Sequence, residues 1–281
     1  MKTVRTWCIR ILMILFTVIF LYPLFWNLMS AFKTNAEYLT DPYALPAALN
    51  LDNFVAAWQK ANIAAYFGNS IFVTVFSTVL LLLLVIPISY VLARYRFAGS
   101  KLISAIYMAC IFLQATYIMI PLFLELQAVN GLNNLPVLCL VYAVMQFPFC
   151  IFTLQGFMSA VPRDYEESAR IDGAGPVKTF TAITLPYMLF VTTPQLITQF
   201  VGNINNFNVI YLLSNGNPTT EKFYQAGQTD ILVTWLFKLT MNSQDYGLAA
   251  AIGILVFVIC ATLSLIVYNN SKSMKDEEAF S

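Results

Sequence analysis

The sequence predicts an all-α membrane protein with six transmembrane helices, and three observations carry that expectation. Hydrophobic residues fill 59% of the 281 positions and charged residues only 10%, against about 25% charged in soluble domains. The apolar residues gather in long runs, several near the roughly 20 residues a helix needs to cross the hydrocarbon core. No alternating apolar and polar pattern, broken by turns about every ten residues, supports a barrel.

The first run, 7–32, follows Lys2, Arg5 and Arg10. It is too long and too rich in aromatics for a cleaved signal peptide, so it reads as an uncleaved first span. Residues 33–66 are polar, hold Pro42 and Pro46, and leave room for two short helices. The second span is 68–93, with a bend expected at Pro87. Arg94, Arg96 and Lys101 form a short basic turn before the third span, 102–126, which contains Pro121. A tight turn without Lys or Arg leads to the fourth span, 137–158, with Pro148 inside it. The polar stretch 161–182 separates it from the fifth span, 183–213. A longer polar loop, with an amphipathic stretch at 231–240, leads to the sixth span, 247–269, and a charged tail. The chain reads as one transmembrane domain, 1–281.

Orientation follows from the cations. With both ends cytoplasmic, that side holds Lys or Arg at 2, 5, 10, 94, 96, 101, 163, 170, 178, 272 and 275, eleven in all, and the other side holds Lys33, Lys60, Lys222 and Lys238. The excess agrees with the positive-inside rule and puts 161–182 in the cytoplasm.

Several function classes drop out. A net charge of +1 gives no electrostatic case for nucleic acid. Cys8, Cys110, Cys139, Cys150 and Cys260 all lie in apolar runs and read as small core residues. The absence of histidine weakens any hydrolytic or zinc chemistry. No buried cluster of charged residues is evident within the spans, which argues against an ion-driven carrier.

The polar residues inside the spans are amides. Gln195, Gln199, Asn203 and Asn206 recur at helical spacing on the fifth span, with Gly202 beside them and Asn205 and Asn208 close by. Gln146, Phe147, Pro148 and Phe149 cluster on the fourth, where the proline frees a backbone carbonyl. Amides inside a membrane face other helices or a wet cavity. Two readings stay open: contact between helices, or a wall facing a hydroxyl-rich solute.

The segment 161–186 carries the most specific pattern. Pro162 favours a helix start, Asp164, Glu166 and Glu167 suit its positive end, Gly173 and Gly175 suit turns or a C-cap, and Pro176 stops continuation. The spacing runs Glu167, Ser168, Ala169, three residues, Gly173, nine residues, Ile183, one residue, Leu185, Pro186. It resembles the signature Glu-Ala-Ala, three, Gly, nine, Ile-x-Leu-Pro of permease subunits of ATP-driven importers, with Ser168 as a small-for-small departure. Nearly the whole chain is similar to the membrane subunits of maltose-type carbohydrate importers. YPLFWNLMSAFKTNAEY at 22–38, YVLARYRFAGSK at 90–101 and PLFLELQAVNGL at 121–132 resemble the smaller subunit of such pairs. NNFNVIYLLSNGNP at 205–218, AGQTDILVTWLFKLT at 226–240 and YGLAAAIG at 246–253 resemble the larger one.

The resemblance implies a multi-pass subunit of the bacterial plasma membrane, with no enzymatic activity, cofactor or metal of its own. It implies a second permease subunit as heterodimer partner, two ATPase subunits and an extracytoplasmic sugar-binding protein. Glu167, Ser168, Ala169, Asp172 and Gly173 then belong to a cytoplasmic coupling helix that docks on the ATPase. Sugar contacts carry over to Gln146, Phe149, Gln199, Gly202, Asn203 and Asn206. The family has a small hydroxyl residue where Gln199 stands and an aromatic where Gly202 stands, so those two carry over as positions only. The chain has no Gly-x-x-x-x-Gly-Lys-Ser/Thr loop with which to hold ATP. A non-sugar solute or an ion-driven secondary carrier is the alternative.

Overall fold

The computed structural model describes residues 2–60, 63–113, 115–160, 162–218 and 226–270. The long apolar runs form helices that satisfy their own backbone, as lipid demands. Among the described residues, four are long and apolar enough to cross a membrane. They lie in α1 (Lys2–Ala31), α4 (Ile63–Arg94), α7 (Leu135–Ala160) and α13 (Tyr246–Asn270). Between the first two lie the short α2 (Asn35–Thr40) and α3 (Asp52–Lys60).

The expected third span departs from a single helix. It is two shorter pieces, α5 (Ser100–Cys110) and α6 (Ala115–Ala128). At the end of α5 the amides of Ile111, Phe112 and Leu113 bond the carbonyls three residues back. That tighter turn closes the helix. Neither piece spans a bilayer alone.

The fifth span also departs. It starts earlier, with α9 (Pro176–Thr179), a wide π-type turn at Phe180–Thr184, and α10 (Leu185–Ile204). Pro176 opens α9 at its first turn instead of merely ending the helix before it. The segments Pro176–Phe190 and Gln195–Ile204 meet at 66°, and together they are apolar enough for one bent span. The local chemistry accounts for the bend. Pro194 has no N–H for the carbonyl four residues back. The Thr192 hydroxyl donates to the Met188 carbonyl at 2.7 Å and that of Thr193 to Leu189 at 2.8 Å, a back-bonding that bends helices. At its other end α10 stops at Ile204, and Asn205 and Asn206 turn the chain into α11 (Phe207–Leu213). Helix α4 continues unbroken through Pro87.

Helices α4 and α7 form the spine. Leu81, Val85 and Ile86 meet Ala143, Cys150, Ile151, Leu154 and Met158, with Met188 of α10 alongside. Ser70, Thr74 and Ser77, four and three residues apart on α4, are all buried. Small side chains at that spacing let a neighbouring helix come close. Around α12 (Leu232–Met241), Leu232, Trp235 and Leu239 pack on Leu248, Ala249 and Ile252 of α13. The Tyr66 ring stacks on Trp235 at 5.9 Å. The expected amphipathic stretch at 231–240 is this helix. Helix α1 meets the rest at its C-terminal end, where Ala31 joins Ala250 and Ala251. Its apolar side chains from Trp7 to Phe25 face outward.

That end is tied by polar bonds. Thr34 and Glu37 form a reciprocal cap on α2, and the Thr34 amide and hydroxyl hold the Glu37 carboxyl below the usual range. The Asn53 amide donates to the carbonyls of Ala31 (2.9 Å) and Lys33 (2.7 Å). A Cβ at Gly247 would lie 2.8 Å from the Lys33 carbonyl, so only glycine lets α13 start this close. Two of the four lysines assigned outside are buried. Lys33 donates to the carbonyls of Asp41 and Pro42 at 3.1 and 3.0 Å, and Lys238 pairs with Asp230 at 2.7 Å. Val161, Lys222, Lys272 and Lys275 lie outside the described residues.

Candidate functional site

The amide stripe of α10 divides into two faces. Gln199 and Asn203 point inward and are 7% and 4% exposed. Gln199 Nε2 donates to Gln146 Oε1 of α7 at 3.2 Å and approaches the Cys150 sulfur at 4.0 Å. Asn203 Nδ2 donates to Ser77 Oγ of α4 at 3.2 Å and lies 3.5 Å from Thr78 Oγ1. These bonds join α10 to the spine, which is the helix-contact reading. Asn203 Oδ1, however, is buried with no hydrogen-bond partner among the described residues. An unsatisfied buried acceptor costs about 1–3 kcal/mol.

The remaining positions lie elsewhere. Gly202 is exposed, with open space where a Cβ would stand. Phe149 is 44% exposed on α7. Asn206 sits at the break between α10 and α11, half-buried, and its carbonyl accepts from the Tyr142 hydroxyl at 2.9 Å. Asn205 is exposed and bonds back to the Val201 carbonyl at 3.2 Å. Gln146 and Gln199 are therefore brought together, and Asn203 is brought to Ser77. The six positions do not share one open surface.

At the other end of the spine stands α8 (Asp164–Ile171). Its N-terminal acids suit the helix dipole. It ends in a Schellman turn: the Ala174 amide reaches the Ala169 carbonyl at 2.9 Å and that of Gly173 reaches Arg170 at 3.0 Å. Gly173 has φ +82°, which glycine adopts without strain. Glu166 and Ala169 face inward. Glu166 Oε1 pairs with Arg94 Nε at the end of α4 at 3.0 Å and accepts from the Thr184 hydroxyl at 3.3 Å. Both partners of the ion pair are nearly buried, with side chains 6% and 9% exposed. Sequence reasoning missed this bolt, because 72 residues separate its members. The outward face carries Tyr165, Glu167, Ser168, Ile171 and Asp172. Ile171 is 85% exposed.

Residues 60–276 match the family model described as binding-protein-dependent transport system inner membrane component. The chain is 38% identical over 196 residues to the diacetylchitobiose uptake system permease protein NgcG of Streptomyces coelicolor, covering 70% of this chain and 65% of that one. It is 41% identical over 140 residues to the galactooligosaccharides transport system permease protein GanP of Bacillus subtilis, covering 50% and 33%. It is 31% identical over 252 residues to the maltose/maltodextrin transport system permease protein MalF of Vibrio vulnificus, covering 78% and 47%. The chain thus spans less than two thirds of the length of these curated relatives. Its fold is similar to that of a chain in a bacterial ABC transporter involved in the import of the acidic polysaccharide alginate. The TM-score there is 0.73 at 19% identity, with 96% of each chain covered.

Proposed function

The chain belongs to the family of binding-protein-dependent transport system inner membrane components, and from that premise we propose that it is a permease subunit of an ATP-driven importer of sugars or oligosaccharides. In this reading it forms half of a translocation path in the bacterial plasma membrane by alternating access. A second permease subunit supplies the other half, an extracytoplasmic binding protein delivers the sugar, and two ATPase subunits close on ATP. It crosses the membrane six times with both termini in the cytoplasm, α5 and α6 together making the third crossing and α9 to α10 the fifth.

One observation carries the reading. Helix α8 is fixed to the spine through Glu166 and Arg94 while Glu167, Ser168 and Ile171 face outward at the end of the bundle. A helix bolted on one side and bare on the other suits transmission of a push from a partner. Asp172 and Gly173 complete the docking element, and Ala169 packs it from below.

The sugar-facing part of the proposal rests on Gln146, Phe149, Gln199, Gly202, Asn203 and Asn206. Amides both donate and accept, as sugar hydroxyls do. Neither α7 nor α10 carries a charged residue in its sequence, which suits a neutral solute. The relatives' names speak of diacetylchitobiose, galactooligosaccharides and maltodextrin. The unpartnered Asn203 Oδ1 is an acceptor that a hydroxyl could satisfy once the helices part.

Purification of the tagged chain with its partners tests this. An ATPase subunit should co-purify, and its ATP turnover in proteoliposomes should rise several-fold with a sugar-loaded binding protein. A chain that purifies free of any ATPase, or whose turnover ignores every sugar in a panel of neutral oligosaccharides, overturns the proposal.

A further inference from the structure

We propose that the open cavity bordered by the end of α4, by α5, by the end of α7 and by Arg163 binds the phosphate-bearing headgroup of an anionic phospholipid. The inference rests on the membrane reading above but concerns a different site from the amide stripe.

The cavity measures about 820 Å³, within the range of ligand sites. Four cations line it: Arg94, Arg96, Lys101 and Arg163. Arg94 is neutralised by Glu166 at 3.0 Å. The other three stand with no carboxylate among the lining residues. Gly99 lines the same space and opens α5 without a side-chain cap, so the positive end of this 11-residue helix adds to the field. Ser104, held by Gln155 at 3.1 Å, offers a neutral hydroxyl on the wall.

The surroundings favour a lipid over a free anion. Helix α5 buries no residue and rests on α7. Its apolar side chains Leu102, Ile106 and Met108 are 65%, 52% and 49% exposed, and Met108 reaches into the cavity lining. Met108, half-exposed and apolar, borders the basic lining, and such a side chain suits an acyl chain joined to a phosphate. Basic pockets between membrane helices bind anionic headgroups for this reason.

The test uses the assembled complex in detergent, with phosphatidylglycerol and phosphatidylcholine as probes and native mass spectrometry as readout. Wild type should retain phosphatidylglycerol in preference to phosphatidylcholine. Lys101→Gln alone should weaken that preference about five-fold, and Arg96→Gln, Lys101→Gln and Arg163→Gln together about a hundred-fold. An unchanged thermal midpoint in the single variant ties its loss to the site and not to unfolding. Equal retention of the two lipids by wild type overturns the proposal, as does an undiminished preference in the triple variant. Displacement of phosphatidylglycerol by millimolar inorganic phosphate overturns the lipid and leaves an anion site. Retention is read by mass and not by transport, so its failure is distinct from failure of the importer reading.

Discussion

At the scale of single residues, Asn203 and Asn206 separate two roles that their spacing joined. Asn203 is buried and bonded to Ser77, so Asn203→Ala removes an interhelical bond as well as any sugar contact. It should lower both the thermal midpoint and transport. Asn206 holds its place through its backbone carbonyl, which the Tyr142 hydroxyl reaches in any side-chain variant. Asn206→Ala should therefore leave yield and basal ATP hydrolysis alone. It should weaken apparent sugar affinity at the membrane site by about ten- to hundred-fold, the equivalent of one lost hydroxyl contact of roughly 1–3 kcal/mol. Transport per assembled complex within twofold of wild type for Asn206→Ala would remove it from the sugar site. Asp230 and Lys238 give a purely structural counterpart. Their side chains are 0% and 5% exposed, and the Gly227 amide also donates to Asp230 at 2.7 Å. Lys238→Met strands a buried carboxylate and should cost on the order of 3–5 kcal/mol. Adding Asp230→Asn should recover much of it, read as thermal midpoint in detergent.

At the scale of elements, α8 shows what a sequence pattern conveys and what it omits. The acids, the glycine and the prolines announce a short helix with a turn behind it, and the φ of +82° at Gly173 is the backbone that glycine implies. Which carboxylate points outward was legible only through spacing: Glu167 stands in the signature, whereas Glu166 beside it is the one held by Arg94. Nothing local marks that pairing, because it forms when the ends of α4 and α8 meet. The two glutamates should then fail differently. Glu167→Lys should insert and assemble at normal yield but lose sugar-stimulated ATP turnover, since it changes only the outer face. Glu166→Gln leaves Arg94 nearly buried with a weaker acceptor, so it should loosen α8 and lower stability and coupling together. Gly173→Ala meets no steric obstacle, yet should cost about 1 kcal/mol through its backbone alone. Normal sugar stimulation in Glu167→Lys would count heavily against docking through this face.

At the scale of the whole molecule, apolar runs were readable because lipid imposes one rule on every spanning segment. Helix breaks were not. The 66° bend depends on hydroxyls and a proline acting together, and across the stop after α5 the apolar composition simply continues through Ile111, Phe112 and Leu113. Those breaks bear on topology. Four crossings by α1, α4, α7 and α13, with α9 to α10 as a fifth, would put α8 and the loop before α12 on sides that depend on whether α5 and α6 cross. If the pair crosses, the turn at Ala98 and helix α8 share a side. The buried pairing of Arg94 with Glu166 holds those two segments together, which favours a crossing pair between them. Labelling decides it. With the five native cysteines replaced, a thiol at exposed Ala98 should react with an impermeant maleimide only after the membrane is opened. A thiol at exposed Asn242, just past α12, should react in intact cells. Reaction at Ala98 from outside would invert the molecule, and with it the side from which any ATPase could reach α8.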